Sequence, residues 1–380
     1  MSKKEKIEMV KGFFNERYYL RNNIVKGQIQ YRRKEAKGYK AIDDGFINSN
    51  YLEIQSEYDT GINKALLIDI LNSDFVVEYN PFVEYFEGLP KVDNSISYIS
   101  ELAKTINCHD NDFFNSCLRK WLVGMVAGVL DNGLINHQVI VLSGSQGIGK
   151  STWIRNLVPD ELREYFYSGK INPNRNADTM VALSECMLID LDELENLSKR
   201  ESGSLKEIIT KTQINHRRPY ARTSEIMPRR ASFIGSTNGT EILYDKTGSR
   251  RYLCFEVLDI DIAYEIDVES ILSESYRLYL DGFRWHFDKK ETKLIENNNL
   301  RFTVVSDIEE QLITRFTPEQ PTKLSRLCSA SEVFKLLTGL NTCSMSQSVS
   351  MGLILNRHGY IAKKEGGLKK YAVVEYENPE

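Results

Sequence analysis

The stretch VIVLSGSQGIGKST, residues 139–152, restricts this chain more than any other. An apolar, β-branched run stops at Gly144, and Gly147 and Gly149 follow before Lys150, Ser151 and Thr152. A short apolar run bounded by glycine reads as a buried strand, and apolar residues resume beyond Ser151 in STWIRNLV as a helix would. The pattern G-x-x-x-x-G-K-[ST] between a strand and a helix is a phosphate cradle. Glycines let backbone N–H groups turn toward phosphate oxygens, and the start of a helix adds a favourable dipole. Lys150 supplies a point charge for the β- and γ-phosphates, and Ser151 a hydroxyl for Mg²⁺. Gly144, Ser145, Gln146, Gly147, Ile148, Gly149, Lys150, Ser151 and Thr152 are therefore the expected nucleotide loop, with ATP and Mg²⁺ as cofactors. A chance glycine turn would not need both flanking elements.

Two later apolar runs extend this chemistry. MLIDLDELE (187–195) ends in carboxylates. Asp190 and Asp192 alternate, so both can face one side of a strand and share the metal role. Glu193 at the strand end is the candidate for orienting an attacking water; the plainer alternative is an acidic turn opening a helix. ASFIGSTNG (231–239) places Asn238 at a strand tip, where an amide can bond both water and γ-phosphate, although Asn-Gly is also a common turn. TGSRRYL (247–253) then brings Arg250 and Arg251. An arginine offered to a neighbouring subunit's γ-phosphate stabilises transition-state charge; a surface ion pair is the alternative.

Short apolar runs alternating with helical segments after Gln138 predict an α/β fold, a three-layer core with a largely parallel sheet. The expected organisation is a basic, mixed N-terminal region over 1–92, α-rich in outline, and a helical collar over 93–135. An ATPase core over 136–290 and a winged-helix-like domain over 300–380 complete it. In NDFFNSCLRKWLVGMVAGVLD the apolar residues form one broad helical stripe, which puts Trp121 and Met125 in the core. Asp131-Asn132-Gly133 is expected to end that helix through a left-handed residue. GQIQYRRKEAKGYKAI reads as a strand, a charged turn and a second strand, a solvated hairpin rather than an arm on DNA. Ser329-Ala330-Ser331-Glu332 reads as a capping box, and the last residues as a hairpin turning at Gly366-Gly367. Arg357, His358, Lys363, Lys364, Lys369 and Lys370 cluster there, and DNA binding and protein docking stay open.

Composition narrows the class. A net charge of −4 over 380 residues makes any nucleic-acid surface a local one. The run WLVGMVAGVL is too short to span a bilayer, and MSKKEKIEM lacks a secretory core, so no membrane partner and a cytoplasmic location are expected. Six scattered cysteines without Cys-x-x-Cys argue against disulfides and zinc. The segment 205–230 is locally basic, with Lys206, Lys211, Arg217, Arg218, Arg222, Arg229 and Arg230 against Glu207 and Glu225. Tyr220 adds a ring among cations, the recipe for single-stranded nucleic acid, and Pro219 disfavours a helix.

The order of cradle, acidic strand, basic segment, Asn-tipped strand and arginines resembles the virulence-associated protein E family, phage- and plasmid-type ATPases of the superfamily 3 helicase kind. The resemblance rests on YNPFVEYFEGLP (79–90), GSQGIGKS, LIDLDELE, HRRPYAR (216–222), STN and GSRRYL, and spans about 75–260. It implies a P-loop NTPase core of AAA+-like type in a homo-oligomeric ring, with hydrolysis at subunit interfaces. It also implies a hairpin in the central channel, with His216, Arg217, Arg218, Tyr220 and Arg222 on single-stranded DNA. Relatives carry acids at the positions of Asp190 and Glu193 in a less acidic run, which leaves Asp192 as an extra candidate. Many follow a primase domain; this chain starts too late for one, so any primase activity would have to come from a separate primase. The reading is an ATP-dependent DNA helicase or translocase in replication of a mobile element. A DNA-binding ATPase switch or loader is the first rival and a small-molecule kinase the second.

Overall fold

The computed structural model describes residues 2–58, 61–169, 171, 177–192, 194, 199–216, 225–244, 249–304, 307–318, 326–365 and 368–375. Two compact units divide the chain, Met1–Phe302 and Thr303–Glu380.

The N-terminal part of the first unit is mixed, with more helix than strand. Helix α1 (Lys3–Arg17) leads into β1 (Tyr18–Asn23), β2 (Gln28–Arg33) and β3 (Lys40–Ala41), followed by α2 (Asp44–Tyr58), α3 (Lys64–Leu71) and β4 (Val77–Tyr79). The strands form one sheet in the order β3-β2-β1-β4, and the expected hairpin is β2–β3. Phe13, Phe14, Tyr18 and Phe46 make its core.

Helix α4 (Pro81–Gly88) follows, with Asn80 Oδ1 accepting from Phe82 N and proline at the first turn, where its missing N–H costs nothing. Next come α5 (Tyr98–Lys104), β5 (Ile106–Cys108) and α6 (Asn111–Leu130). Helix α6 departs from the one-stripe expectation: from Cys117 to Val129 it is buried nearly all round, Trp121 and Met125 included. Gly124 makes this possible, since a Cβ there would sit 2.9 Å from Trp285 Cε3. Nor does its end use a left-handed residue. Asp131 is extended (φ −117°), and its carboxylate accepts from Gly133 N.

The central sheet contains β6 (Val139–Ser143), β7 (Phe166–Ser168), β8 (Leu188–Leu191), β11 (Ser232–Thr237) and β12 (Tyr252–Ile260), in the order β5-β12-β6-β11-β8-β7. All neighbours are parallel except β5 against β12. Between them lie α7 (Lys150–Arg155), α8 (Ala177–Glu185), α9 (Lys199–Thr210) and the antiparallel pair β9 (Gln213–His216) and β10 (Glu225–Pro228). Helices α10 (Val268–Leu280) and α11 (Lys289–Asn298) close the unit. Strand β6 shows the three layers directly. Ile140 and Leu142 join one core with α6, α7 and α10, while Val139 and Val141 join another with α8 and α9. Both faces are covered, so the strand is apolar from Val139 to Leu142.

The second unit holds α12 (Asp307–Arg315), β13 (Phe316–Pro318), β14 (Leu327–Ser329), α13 (Ala330–Thr338), α14 (Met345–Arg357), β15 (Ala362–Glu365) and β16 (Leu368–Glu375). Ser329 and Glu332 form the expected capping box, and Gly339 (φ +71°) ends α13. Strands β15 and β16 are the expected hairpin; its turn at 366–367 lies outside the described residues.

Candidate functional site: the glycine loop and its facing strands

The loop 144–149 leaves the central strand β6 with flanking strands on both sides. Gly144 N donates to Thr237 O, 3.1 Å, tying the loop to the tip of β11. A Cβ on Gly144 would lie 2.5 Å from Val257 O, and one on Gly149 (φ +98°) 2.4 Å from Ile262 Cγ2. Only glycine fits both places. Gly144→Ala is expected to destabilise the protein by about 1–3 kcal/mol, because a fixed carbonyl must move. A lower midpoint in denaturant unfolding is the check, with weakened nucleotide binding beside it.

Lys150 opens α7 and is buried. Its ammonium donates to Gly144 O (2.7 Å) and Ser145 O (2.8 Å), with a longer contact of 3.4 Å to Asn238 Oδ1. These acceptors hold the charge over the loop. Gln146, Gly147, Gly149, Lys150, Ser151 and Thr152 line a cleft of about 350 Å³ together with Asp192, Ser236, Thr237 and Asn238. Ser236 and Thr237 were not singled out from sequence, although the Ser-Thr-Asn tip contains them. Ser236 Oγ donates to Asp192 Oδ1 at 3.3 Å, fixing a carboxylate in the cleft that Lys150 also lines.

The two aspartates, placed on one face by alternation, separate in the structure. Strand β8 ends at Leu191, so Asp192 leaves the pleat and lines the cleft. Asp190 stays buried, accepts from Ser168 Oγ at 3.0 Å through Oδ2, and leaves Oδ1 without a partner. Burial pushes its pKa up to about 6, with the Asp192 charge adding to the rise and the Ser168 bond opposing it. Among the described residues no group of three His, Cys, Asp or Glu side chains could hold a metal by itself. Ser151 and Asp192, lining the same cleft, fit an ion such as Mg²⁺ that takes few protein ligands and completes its shell with phosphate oxygens. Glu193 lies outside the described residues.

Arg250 and Arg251 stand elsewhere. They precede β12, whose Tyr252 pairs with Val139 at the start of β6, whereas the loop follows Ser143 at its end. The length of β6, about 16 Å at ~3.3 Å per residue, separates them from the loop, beyond an arginine's reach. They line a second cleft of about 520 Å³ with His137, Gln138 and Lys289. Gln138, oriented by its hydrogen bonds, donates its amide N–H to Arg250 O and Arg251 O at 3.0 and 3.1 Å.

The basic segment is a hairpin at its base, with His216 paired to Glu225. Arg217, Arg218, Tyr220 and Arg222 lie outside the described residues, as does the His216 side chain. Arg229 and Arg230 do not belong to an exposed patch. Both are buried: Arg229 donates through both Nη atoms to Asn136 O, and Arg230 to Ser184 O and Asn132 Oδ1. Burial pushes the Arg229 pKa down to about 9.

No curated protein matches the chain. Among solved structures, the apo structure of the NrS-1 C-terminal region (305–718) aligns over 99% of this chain and 100% of that one, with TM-score 0.51 and 12% identity. Two A-form apo structures of that region give TM-scores of 0.49 and 0.48 at 13% identity, each over 97% of this chain and 98% and 99% of theirs. At such identities the likeness is one of fold. No helix among the described residues is long and apolar enough to cross a membrane. Residues 87–304, more than half of the sequence and including the glycine loop, the acidic strand and the paired arginines, match the virulence-associated protein E-like domain, and the chain belongs to that family.

Proposed function

We propose that the chain is a P-loop ATPase that works as a ring-forming DNA helicase or translocase in the replication of a mobile element. The observation that carries the ATPase reading is the cleft holding Lys150, Ser151, Asp192 and Asn238 around a loop in which only glycine fits at 144 and 149. Loop N–H groups and the Lys150 ammonium would bind the phosphates of ATP. Ser151 and Asp192 would hold Mg²⁺, which neutralises charge on the phosphate oxygens. Asn238 would orient water and γ-phosphate from the strand tip, and Glu193 would polarise the water. The distance of Arg250 and Arg251 from their own loop favours a subunit interface as the place of hydrolysis. This asks for a homo-oligomeric ring, with single-stranded DNA along the hairpin that starts at β9. The order β14-α13-α14-β15-β16 in the second unit supports a winged helix.

Strand displacement on forked DNA, measured with ATP hydrolysis in the same preparation, tests the proposal. Unwinding that needs hydrolysis supports it. Tight DNA binding without stimulated hydrolysis or unwinding would favour a switch or loader instead. Changing Arg217 and Arg218 together to Ala is expected to reduce the slope of log affinity against log salt for single-stranded DNA by about 1.4, the value for two lost phosphate contacts. Arg229→Met should leave both slope and affinity unchanged, because that side chain is buried. Fluorescence anisotropy across a salt series measures both.

A further inference from the structure

The N-terminal sheet has one face on its helices and another that the proposed machinery does not use. Tyr18, Leu20, Ile29 and Tyr31 face the aromatic core. Their neighbours Tyr19, Arg21, Gln30 and Arg32 therefore share the opposite face, where the register sets Tyr19 across from Arg32 and Arg21 across from Gln30. On that face rings and cations alternate in one line. The Arg21 guanidinium lies 3.6 Å from the Tyr79 ring centre and 3.8 Å from that of Tyr39. Arg32 lies 5.4 Å from Tyr39 and 4.5 Å from Tyr19, and Lys34 5.8 Å from Tyr19.

Two hydrogen bonds fix the arginine planes, Arg21 Nε to Gln30 Oε1 at 2.8 Å and Arg32 Nη1 to Ala36 O at 2.9 Å. Tyr19 is 46% exposed, and Val77, paired with Arg21 in the next strand, 70%. Residues 28–41 carry five cations and one acid. From sequence these charges read as a solvated hairpin. The register adds what composition lacked, three tyrosines set between the cations.

We propose that this face binds single-stranded nucleic acid, with bases stacking on Tyr19 and phosphates lying along Arg32 and Lys34. Stacking rings interleaved with cations suit a polymer of flat bases on an anionic backbone. An acidic peptide would use the charges and leave the rings without a role. The placement also fits. Asn23, at the end of β1, donates to Tyr165 OH at 2.7 Å, and Tyr165 immediately precedes β7. The β9–β10 hairpin leads through Pro228 into the start of β11, so both features belong to the starting end of the parallel strands. The inference stands without ATP hydrolysis.

Photo-crosslinking of the full chain to an oligonucleotide carrying 5-iododeoxyuridine, with adducts mapped by mass spectrometry, tests it. Adducts are expected in the segment from Tyr18 to Ala41. Tyr19→Ala combined with Arg32→Ala should weaken binding of oligothymidylate about tenfold, Tyr19→Phe should not, and DNA-independent ATP turnover should stay unchanged in both. The adducts should persist when Arg217 and Arg218 are Ala, which separates this face from the hairpin. Oligouridylate in a parallel arm distinguishes RNA from DNA as the strand held. Adducts confined to other segments with unchanged affinity, or equal competition by an acidic peptide, would overturn the proposal.

Discussion

Lys150→Ala is expected to lower ATP turnover by about 10³-fold or more, with the protein still folded. The side chain sits where the loop converges, its ammonium held by the carbonyls of Gly144 and Ser145 and by the Asn238 amide. A phosphate entering the cleft meets that charge at short range, where charge grows on the transferring group, so the loss falls on the transition state more than on binding. Stability should change by only about 1 kcal/mol, because loop carbonyls at the mouth of an open cleft can take water in place of the lysine. Phosphate release measures turnover, and a fluorescent nucleotide measures binding. Lys150→Arg is expected to fail as well: a planar fork does not replace a compact ammonium at this contact. Turnover near the wild-type rate in Lys150→Ala would remove the cleft from the mechanism.

Arg251→Ala and Arg250→Ala address a different link, that between fold and assembly. At least one of them is expected to cut turnover by about 10³–10⁵-fold while leaving nucleotide affinity within about threefold, because a residue facing another subunit's γ-phosphate acts on the transition state. Both arginines precede β12, whose first residue pairs with the beginning of β6, at the far end of that strand from the loop. Within one chain they have no path to the phosphates. A weak effect of both substitutions would make them members of a surface ion pair and return hydrolysis to a single subunit.

Much of the core was legible because its strands are buried on both faces. The runs at β6, β8, β11 and β12 are largely apolar, and such runs between helices point to a covered parallel sheet. Strands β5 and β7 were not legible. Each has three residues at an edge of the sheet, too few for any period to show. The arginines at 229 and 230 misled for another reason. Charge in a sequence reads as exposure, yet both side chains are buried at the turn into β11, where Asn136 O, Ser184 O and Asn132 Oδ1 accept their hydrogen bonds. Alternation likewise put Asp190 and Asp192 together, and it failed where β8 ends between them. The ring-and-cation line of the N-terminal sheet was beyond reach without the register, since Tyr19, Tyr39 and Tyr79 come together only after four strands pair.

Mixing two inactive variants tests the seam most directly. Lys150→Ala supplies intact arginines, and the variant lacking the acting arginine supplies an intact loop. If sites form between neighbours, random mixing in equal amounts restores about a quarter of the interfaces, and ATP turnover should return to a comparable share of wild type. Turnover that stays at the level of the separate variants, in mixtures shown by size measurement to contain both chains in one assembly, would contradict hydrolysis at a shared interface.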